Sequence, residues 1–150
     1  MQYLLDTGIL LRLIHRADPQ YDKIRAAVRQ LKSQGHSLVA APQNLAEFWN
    51  VCTRPTTARG GRGLSVEATE RRVRLIEWML SGLLPDSAAA YPEWRRLVLV
   101  HSVMGAAVHD ARLVALMTVH RITHIVTLNP NDFRRYTGLV IVTPDNVLTV

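Results

Sequence analysis

Four acidic side chains lie beside apolar segments of this chain, where a folded protein usually places apolar residues. Asp6 ends the apolar run that opens the chain, and Glu47 lies in a segment rich in aromatic residues. Asp110 precedes a long apolar stretch, and Asp132 directly precedes Phe133. Carboxylates beside buried elements cost free energy unless something compensates their charge. A divalent cation compensates it simply, and hard cations such as Mg²⁺ prefer oxygen ligands. If the fold brings the four acids together, they form a metal site.

The elements that would position these acids alternate along the chain. Short apolar runs predict strands, and segments with apolar residues at helical spacing predict helices between them. The predicted strands are residues 3–5, 37–41, 122–128 and 139–142, with a minor strand at 83–84. This alternation is typical of a parallel sheet between two layers of helices, which is an α/β fold. Ligands bind such sheets beyond the carboxyl ends of the strands, where Asp6 and residues 129–132 fall.

Composition sets the protein's class without identifying its function. The chain has 150 residues, enough for one domain with a full hydrophobic core. The formal net charge is +6, and lysine occurs only at positions 23 and 32, so arginine supplies most of the positive charge. Arginine is the better bidentate partner for phosphate, which is compatible with a nucleic-acid substrate. Genomic composition that favours arginine codons would explain the same bias.

Other features of the sequence bear on the compartment. The start of the chain has no basic segment followed by an apolar stretch of signal length, and no apolar run is long enough to cross a bilayer. Cys52 is the single cysteine, so no intrachain disulfide is possible. We therefore expect a cytoplasmic protein that does not span a membrane.

Each acid also has an ordinary structural explanation. Asp6 and Asp110 could cap the helices that follow them, which is a common use of aspartate. Glu47 could be a lone charge on an exposed helix face, and Asp132 could cap the turn at residues 133–136. Individually these signals are weak, and it is their combination that points to a site.

The combination resembles a known family, the PIN domains, and within it the VapC-type toxins of bacterial toxin–antitoxin pairs. The resemblance spans residues 4–142 and rests on four blocks, which are residues 4–7 (LLDT), 44–48 (NLAEF), 109–115 (HDARLVA) and 127–133 (TLNPNDF). It implies one PIN domain over residues 1–150, with a three-layer α/β/α fold and a central, mainly parallel sheet. It also implies a type II toxin that hydrolyses RNA through a water activated by Mg²⁺ or Mn²⁺.

The resemblance assigns roles to individual residues. Asp6, Glu47 and Asp110 match the family's most dependable acids and are the implied metal ligands; together with Asp132 they are the implied catalytic residues. The fourth block departs from the family's pattern, because Asn129 stands where many members carry aspartate. An amide can ligate a metal but brings no charge, so one tightly held ion is expected rather than two.

Further side chains near the acids are expected to support them or contact the substrate. Thr7 and Thr127 could hydrogen-bond the carboxylates or the phosphate. Arg112 could stabilise the phosphate in the transition state, although a solvated helix arginine is the simpler interpretation. The loop at residues 56–64 is predicted to be a flexible basic loop, either tracking an RNA backbone or serving as ordinary surface.

The resemblance also implies partners, which are an RNA substrate, a cognate antitoxin that blocks the acidic cleft and a second copy of the chain. Trp78 or Trp94 could contribute to a homodimer. A receiver-type phosphoacceptor is disfavoured because neither lysine follows a late strand, and glycine-rich nucleotide-binding motifs are absent. The alternative that stays open is a PIN-like module that binds RNA or protein without cutting, suggested by the lost charge at Asn129.

Overall fold

The computed structural model describes residues 1–149, which form a five-stranded sheet and seven α-helices. The strands are β1 (Gln2–Leu5), β2 (Ser37–Ala40), β3 (Gly82–Leu83), β4 (His124–Val126) and β5 (Val140–Val142). The helices are α1 (Thr7–Leu13), α2 (Tyr21–Ser33), α3 (Pro42–Thr53), α4 (Val66–Met79), α5 (Ala90–Val100), α6 (Ala107–Val119) and α7 (Pro144–Leu148). A short 3-10 helix, Pro130–Asp132, follows β4.

The sheet has the strand order β3-β2-β1-β4-β5, and every neighbouring pair is parallel. The first half of the chain therefore adds β2 and β3 on one side of β1, and the second half adds β4 and β5 on the other side. The strand order reverses between β1 and β4, and such switch points create a crevice at the carboxyl edge of a parallel sheet. Backbone hydrogen bonds continue past the strand ends here, from Asp6 N to Val126 O (3.0 Å) and from Thr127 N to Val142 O (3.0 Å).

Helices cover both faces of the sheet, and consecutive residues of β1 supply the two cores. Leu5 packs in the cluster formed with α1, α2, α3, α4 and α7, while Leu4 packs in the cluster formed with α5 and α6. Both leucines are fully buried. A strand buried on both faces reads as a continuous apolar run, which is why β1 shows no alternation in sequence. The predicted three-layer α/β/α architecture with a parallel sheet is confirmed.

The boundaries of two elements near the acids differ from those predicted. Helix α6 begins at Ala107, so Asp110 lies in its first turn and is not its N-cap. The preceding segment is interrupted by positive φ values at Ser102 (48°) and Gly105 (62°), which ends α5 and lets α6 start earlier. Strand β4 is shorter than the predicted residues 122–128, because its ladder with β1 runs over residues 124–126.

The loop at residues 56–64 is folded back onto α3, so the prediction of a flexible loop is wrong for its second half. The backbone N–H groups of residues 62–64 donate to carbonyl groups at the end of α3 over 2.8–3.1 Å. A side chain at Gly61 would place its Cβ 2.0 Å from the Pro55 carbonyl oxygen, so only glycine fits. Arg62 donates from Nη1 to Leu11 O at 2.8 Å, which fixes this arginine to α1. Arg59 stays exposed.

Across residues 1–149, no helix combines the length and the apolar character that crossing a membrane would require.

Candidate active site

The four predicted acids lie at the carboxyl edge of the sheet, each on a different element. Asp6 follows β1 and caps α1, Glu47 lies within α3, Asp110 lies in the first turn of α6, and Asp132 ends the 3-10 helix after β4. The negative charges of Asp132, Asp6 and Glu47 each act on Asp110. The structure therefore brings all four carboxylates close enough to act electrostatically on one another at the switch point, a region called the acidic cleft below.

Asp6 is held on both carboxylate oxygens. Oδ1 accepts from Thr7 N at 2.8 Å, and Oδ2 accepts from the Thr127 hydroxyl at 2.7 Å. Thr127 is itself fully buried and accepts from Asn129 N at 3.0 Å, which orients its hydroxyl toward Asp6. Burial raises the pKa of Asp6; the hydrogen bonds from Thr127 and Thr7 oppose this rise, and the charges of Glu47 and Asp132 add to it. Asp6 is thus a fixed carboxylate whose negative charge is incompletely compensated.

Glu47 is also held on both oxygens. Oε2 accepts from the Thr7 hydroxyl at 2.7 Å, and Oε1 accepts from Gln43 Nε2 at 2.9 Å. Gln43 Nε2 also donates to the His109 carbonyl at 2.8 Å, which ties the start of α3 to the start of α6. Glu47 is therefore not a lone charge on an exposed helix face, because its carboxylate points into a hydrogen-bond network at the edge of the sheet.

Asn44 and Gln43 support the acids, and the interpretation of the sequence missed both. Asn44 is fully buried; its Oδ1 accepts from Ala41 N at 2.9 Å and its Nδ2 donates to the Thr7 hydroxyl at 3.2 Å. The signal in the sequence was their spacing, because residues three and four positions before Glu47 share its helix face. An amide directly after a strand and Pro42 is a natural place for such support.

Asp110 and Asp132 are held differently. Within residues 1–149, neither carboxylate accepts a hydrogen bond from a protein group. The pKa of Asp110 is raised to about 6; burial is the largest cause, the charges of Asp132, Asp6 and Glu47 add to it, and His109 opposes it. Asp132 is exposed. Among the four acids, Asp110 therefore combines a strongly raised pKa with a carboxylate that accepts no hydrogen bond from the described residues.

The two remaining predicted residues lie at the rim. Asn129 is exposed; its backbone N–H donates to Thr127, and its carbonyl accepts from Asp132 N at 3.1 Å. Arg112 is exposed on α6, with Nη1 3.5 Å from Gln43 Oε1, which is a long and weak hydrogen bond. Asn129 thus shapes the turn that presents Asp132, and Arg112 lies beside the network around Glu47.

The donor set of the cleft fits a hard divalent cation. It consists of carboxylate oxygens with an amide at the rim, and carboxylates are the ligands that Mg²⁺ uses in proteins. Burial, with the negative charges of neighbouring carboxylates as a smaller cause, raises the pKa values of Asp6 and Asp110, so a bound cation would stabilise the ionised form of both side chains. As the side chains are placed, no group of three or more His, Cys, Asp or Glu in residues 1–149 is already gathered around a common ion position.

Known proteins similar to this chain have the same fold. The VapBC2 structure from Rickettsia felis, bound to a DNA fragment from its promoter, matches with a TM-score of 0.72 at 17% identity, covering 95% of this chain and 98% of that one. The VapBC-1 structure from nontypeable Haemophilus influenzae matches with a TM-score of 0.71 at 16% identity, covering 97% and 99%. At such identities the match establishes the fold.

Sequence comparison gives the relationship directly. Ribonuclease VapC48 from Mycobacterium tuberculosis is 32% identical over 149 residues, covering 96% of this chain and 98% of that protein. The family model described as PIN domain matches residues 3–139, which include Asp6, Glu47, Asp110 and Asp132. The chain therefore belongs to the PIN domain family.

Proposed function

We propose that this protein is a metal-dependent endoribonuclease and the toxin of a type II toxin–antitoxin pair. The observation that carries the proposal is the convergence of four carboxylates at the switch point of the sheet, with Asp6 and Glu47 held in place by hydrogen bonds. The similarity to a protein named ribonuclease over nearly the whole chain supports the reaction. The fold shared with VapBC proteins supports the toxin assignment.

Asp6, Glu47 and Asp110 are the proposed ligands of Mg²⁺ or Mn²⁺. When bound there, such an ion would neutralise charge on the phosphate and acidify a water molecule. Asn129 contributes no charge to the cleft, so we expect one tightly held ion. A second ion, if one binds, would be held more weakly.

Side chains of the protein orient the carboxylates and contact the substrate. Thr127 and Thr7 fix the rotamer of Asp6, so its oxygens face the cleft without rearrangement. Glu47 has one lone pair left on each oxygen beyond the bonds from Thr7 and Gln43, so its carboxylate can ligate an ion or accept a hydrogen bond that positions a water molecule. Asp132 and Arg112 lie at the opening, where we propose that Arg112 contacts the phosphate of the RNA.

The antitoxin partner, the homodimer, the single domain and the location in the cell are all proposals. One solved structure with this fold is of a toxin–antitoxin complex from Klebsiella pneumoniae, and we propose that a cognate antitoxin covers the acidic cleft of this chain. The homodimer stays a prediction; Trp78 is 80% exposed and is the better placed of the two tryptophans. That residues 1–150 form one domain is supported by the single sheet, and a cytoplasmic location stays a prediction from the sequence.

The second candidate is a PIN-like module that binds RNA or protein without cutting. The observation in its favour is Asn129, which leaves the cleft less negative than the full acidic pattern of the family. The structure gives Asp6 and Glu47 four hydrogen bonds from Thr7, Thr127 and Gln43. A module without catalysis has no need to orient these carboxylates, so we favour the enzyme.

A cleavage assay with matched variants tests the proposal. Purified protein is incubated with structured RNAs and Mg²⁺ or Mn²⁺, and parallel reactions contain EDTA or the Asp6→Asn variant. Asp22→Asn is the control, because it removes an exposed carboxylate on α2 outside the cleft. We expect cleavage by wild type and the control only, and only with metal.

Two results would contradict the proposal. Equal cleavage by all proteins, with or without EDTA, would show a contaminating nuclease and remove the support for a metal site. RNA binding by wild type without cleavage under any metal condition would favour the binding module.

A further inference from the structure

A cavity of about 620 Å³ opens beside the acidic cleft, and only Gln43 and Arg112 of its lining take part in the function proposed above. Its walls come from the loop after β3, from α5 and α6, and from the first turn of α3. The lining residues are Gln43, Asp86, Ser87, Ala88, Ala90, Tyr91, Trp94, Arg112 and Leu116. Because the loop after β3 and the first turn of α3 both follow strand ends, the cavity belongs to the same edge of the sheet as the four acids.

The cavity has an aromatic wall with one fixed and one accessible ring. Tyr91 and Trp94 are three residues apart on α5 and therefore share a face. The Trp94 indole N–H donates to Val108 O at 2.9 Å, which holds that ring against α6. The Tyr91 ring is 63% exposed, and its centroid lies 5.9 Å from that of Trp94 with the planes tilted by 34°. Tyr91 thus keeps a free face inside a pocket of drug-like size.

The cavity and the acidic cleft share a wall. Gln43 lines the cavity, and its Nε2 donates to Glu47 Oε1 at 2.9 Å inside the cleft. Arg112 lines the cavity as well and contacts Gln43 from the other side. A nucleotide whose phosphate lay in the cleft would therefore place its neighbouring base at the mouth of the cavity, with Arg112 between the two.

We propose that this cavity binds one unpaired nucleobase of the RNA next to the phosphate that is cut. The base stacks on the exposed Tyr91, and Asp86 and Ser87, which line the same cavity, supply polar groups for its edge. Proteins read single-stranded RNA in this way, with aromatic stacking for affinity and polar groups for base choice. The proposal rests on the proposed ribonuclease function and adds to it a determinant of cleavage preference that belongs to this chain.

A double-mutant cycle, which combines a substitution in the protein with an abasic nucleotide in the RNA, tests the site. The cleavage position is first mapped on a short RNA, and each nucleotide flanking it is then replaced by an abasic one. Wild type is compared with Tyr91→Ala, with Tyr91→Phe, which keeps the ring, and with Leu99→Ala, which removes an exposed apolar side chain of α5 outside the cavity. We expect Tyr91→Ala to lower kcat/KM on intact RNA about 5- to 100-fold, the range of stacking one base.

If Tyr91 stacks on the base, the effects of the Tyr91→Ala change and of the abasic nucleotide will not be additive. One abasic position should lower cleavage by wild type as much as Tyr91→Ala does, and combining the two changes should cause no further loss. Tyr91→Phe and Leu99→Ala should behave as wild type. Losses that multiply, or equal effects of the Tyr91→Ala and Leu99→Ala changes, would overturn the proposal.

A binding measurement separates failure of this proposal from failure of the proposed function. Neutral ribonucleosides are titrated in EDTA, because uncharged probes are not repelled by the carboxylates. We expect at least one of the four to shift the Trp94 indole N–H resonance in wild type but not in Tyr91→Ala, with Trp78 unmoved. Such a shift without RNA cleavage would retain the base site and reject the ribonuclease. Cleavage of RNA without any nucleoside-dependent shift would reject the base site alone.

Discussion

The two halves of the acidic cleft differ in how their carboxylates are held. In the anchored half, Asp6 and Glu47 each accept two hydrogen bonds, and the donors come from the ends of β1 and β4 and from α3. In the open half, Asp110 and Asp132 accept none from the protein within residues 1–149. The pKa of Asp110 rises to about 6, with burial as the largest cause and neighbouring carboxylates next. The anchored half is prepared by the fold, whereas the open half carries charge that the fold leaves uncompensated.

This difference separates two requirements of a metal site. Ligands must be oriented, which threonine hydroxyls and backbone N–H groups achieve in the anchored half. The site must also gain free energy when the ion arrives, and it gains most where negative charge is least compensated. In the proposed metal site, Asp110 would meet this second requirement. The halves should therefore respond differently to substitution, and the following changes are ordered from the largest expected effect to the smallest.

Removing the charge of Asp110 should have the largest effect on activity. We expect Asp110→Asn to lower kcat for RNA cleavage by about 1,000-fold, because several kcal/mol of charge stabilisation depend on the bound ion. The measurement is single-turnover cleavage at saturating Mg²⁺, with Asp22→Asn as control. If Asp110→Asn kept more than about a tenth of the activity, Asp110 would not be a ligand.

Removing a hydroxyl from the anchored half should have an intermediate effect. We expect Thr127→Val to lower kcat about 10- to 100-fold, the range for groups that orient metal ligands. The carboxylate of Asp6 keeps its charge but loses one of its two hydrogen bonds. Thr57→Val, at an exposed loop position, is the matched control. Equal activity of the two variants would show that the carboxylate does not depend on this hydrogen bond.

Adding a charge at the rim should strengthen ion binding modestly. We expect Asn129→Asp to bind Mn²⁺ about tenfold more tightly, or ~1.4 kcal/mol, because one more carboxylate faces the ion. Calorimetric titration of wild type and variant measures this directly. Asn131→Asp adds the same charge two residues away on the 3-10 helix and serves as control. A variant that bound Mn²⁺ no better than wild type would place Asn129 outside the ion's surroundings.

The smallest effect concerns stability without metal. The pKa of Asp110 is raised in the folded protein from 3.8 to about 6, so the folded state holds an extra proton between these values. Stability therefore falls as pH rises from about 4 to about 6 and stays lower above it. We expect Asp110→Asn to raise the free energy of unfolding by about 1 kcal/mol at neutral pH in EDTA, allowing for solvent screening.

Urea unfolding at about pH 4 and about pH 7.5 checks this, and Mg²⁺ should reverse the difference. The variant's advantage should become much smaller at the lower pH, where the wild-type carboxyl is protonated in the folded protein and only partly ionised in the unfolded chain. An advantage that persisted unchanged at the lower pH would have a cause other than the charge of Asp110.

The fold and the location of the acids could be predicted from the sequence because both depend on local patterns. A fully apolar β1 and the alternation of elements indicate a parallel sheet, and Asp6 follows a strand end. The support of the acids could not be predicted in the same way. Gln43 and Asn44 look like ordinary polar residues of a helix start, and their roles depend on partners far along the chain, such as His109 and Thr7.

Two further differences between the predicted and the observed structure, the start of α6 and the path of the loop at residues 56–64, have physical reasons. The sequence around Asp110 favours a helix that it caps, but positive φ at Ser102 and Gly105 starts the helix three residues earlier. Glycine and arginine in residues 56–64 indicate a loop, but they do not reveal that its backbone returns to α3 or that Arg62 donates to Leu11 O. These contacts form only in the tertiary structure, so they leave no periodic pattern in the sequence.

The hydrogen bond between Thr127 and Asp6 joins residues 121 positions apart, and this separation governs when the cleft can exist during synthesis. At about 5–20 residues per second, roughly 6 to 24 s pass between the addition of the two residues. Throughout that interval the growing chain contains Asp6 but not Thr127 or Asp132. A ribosome-bound or prematurely terminated fragment therefore lacks the assembled cleft, so a cell making this protein meets a competent site only near the end of each round of translation.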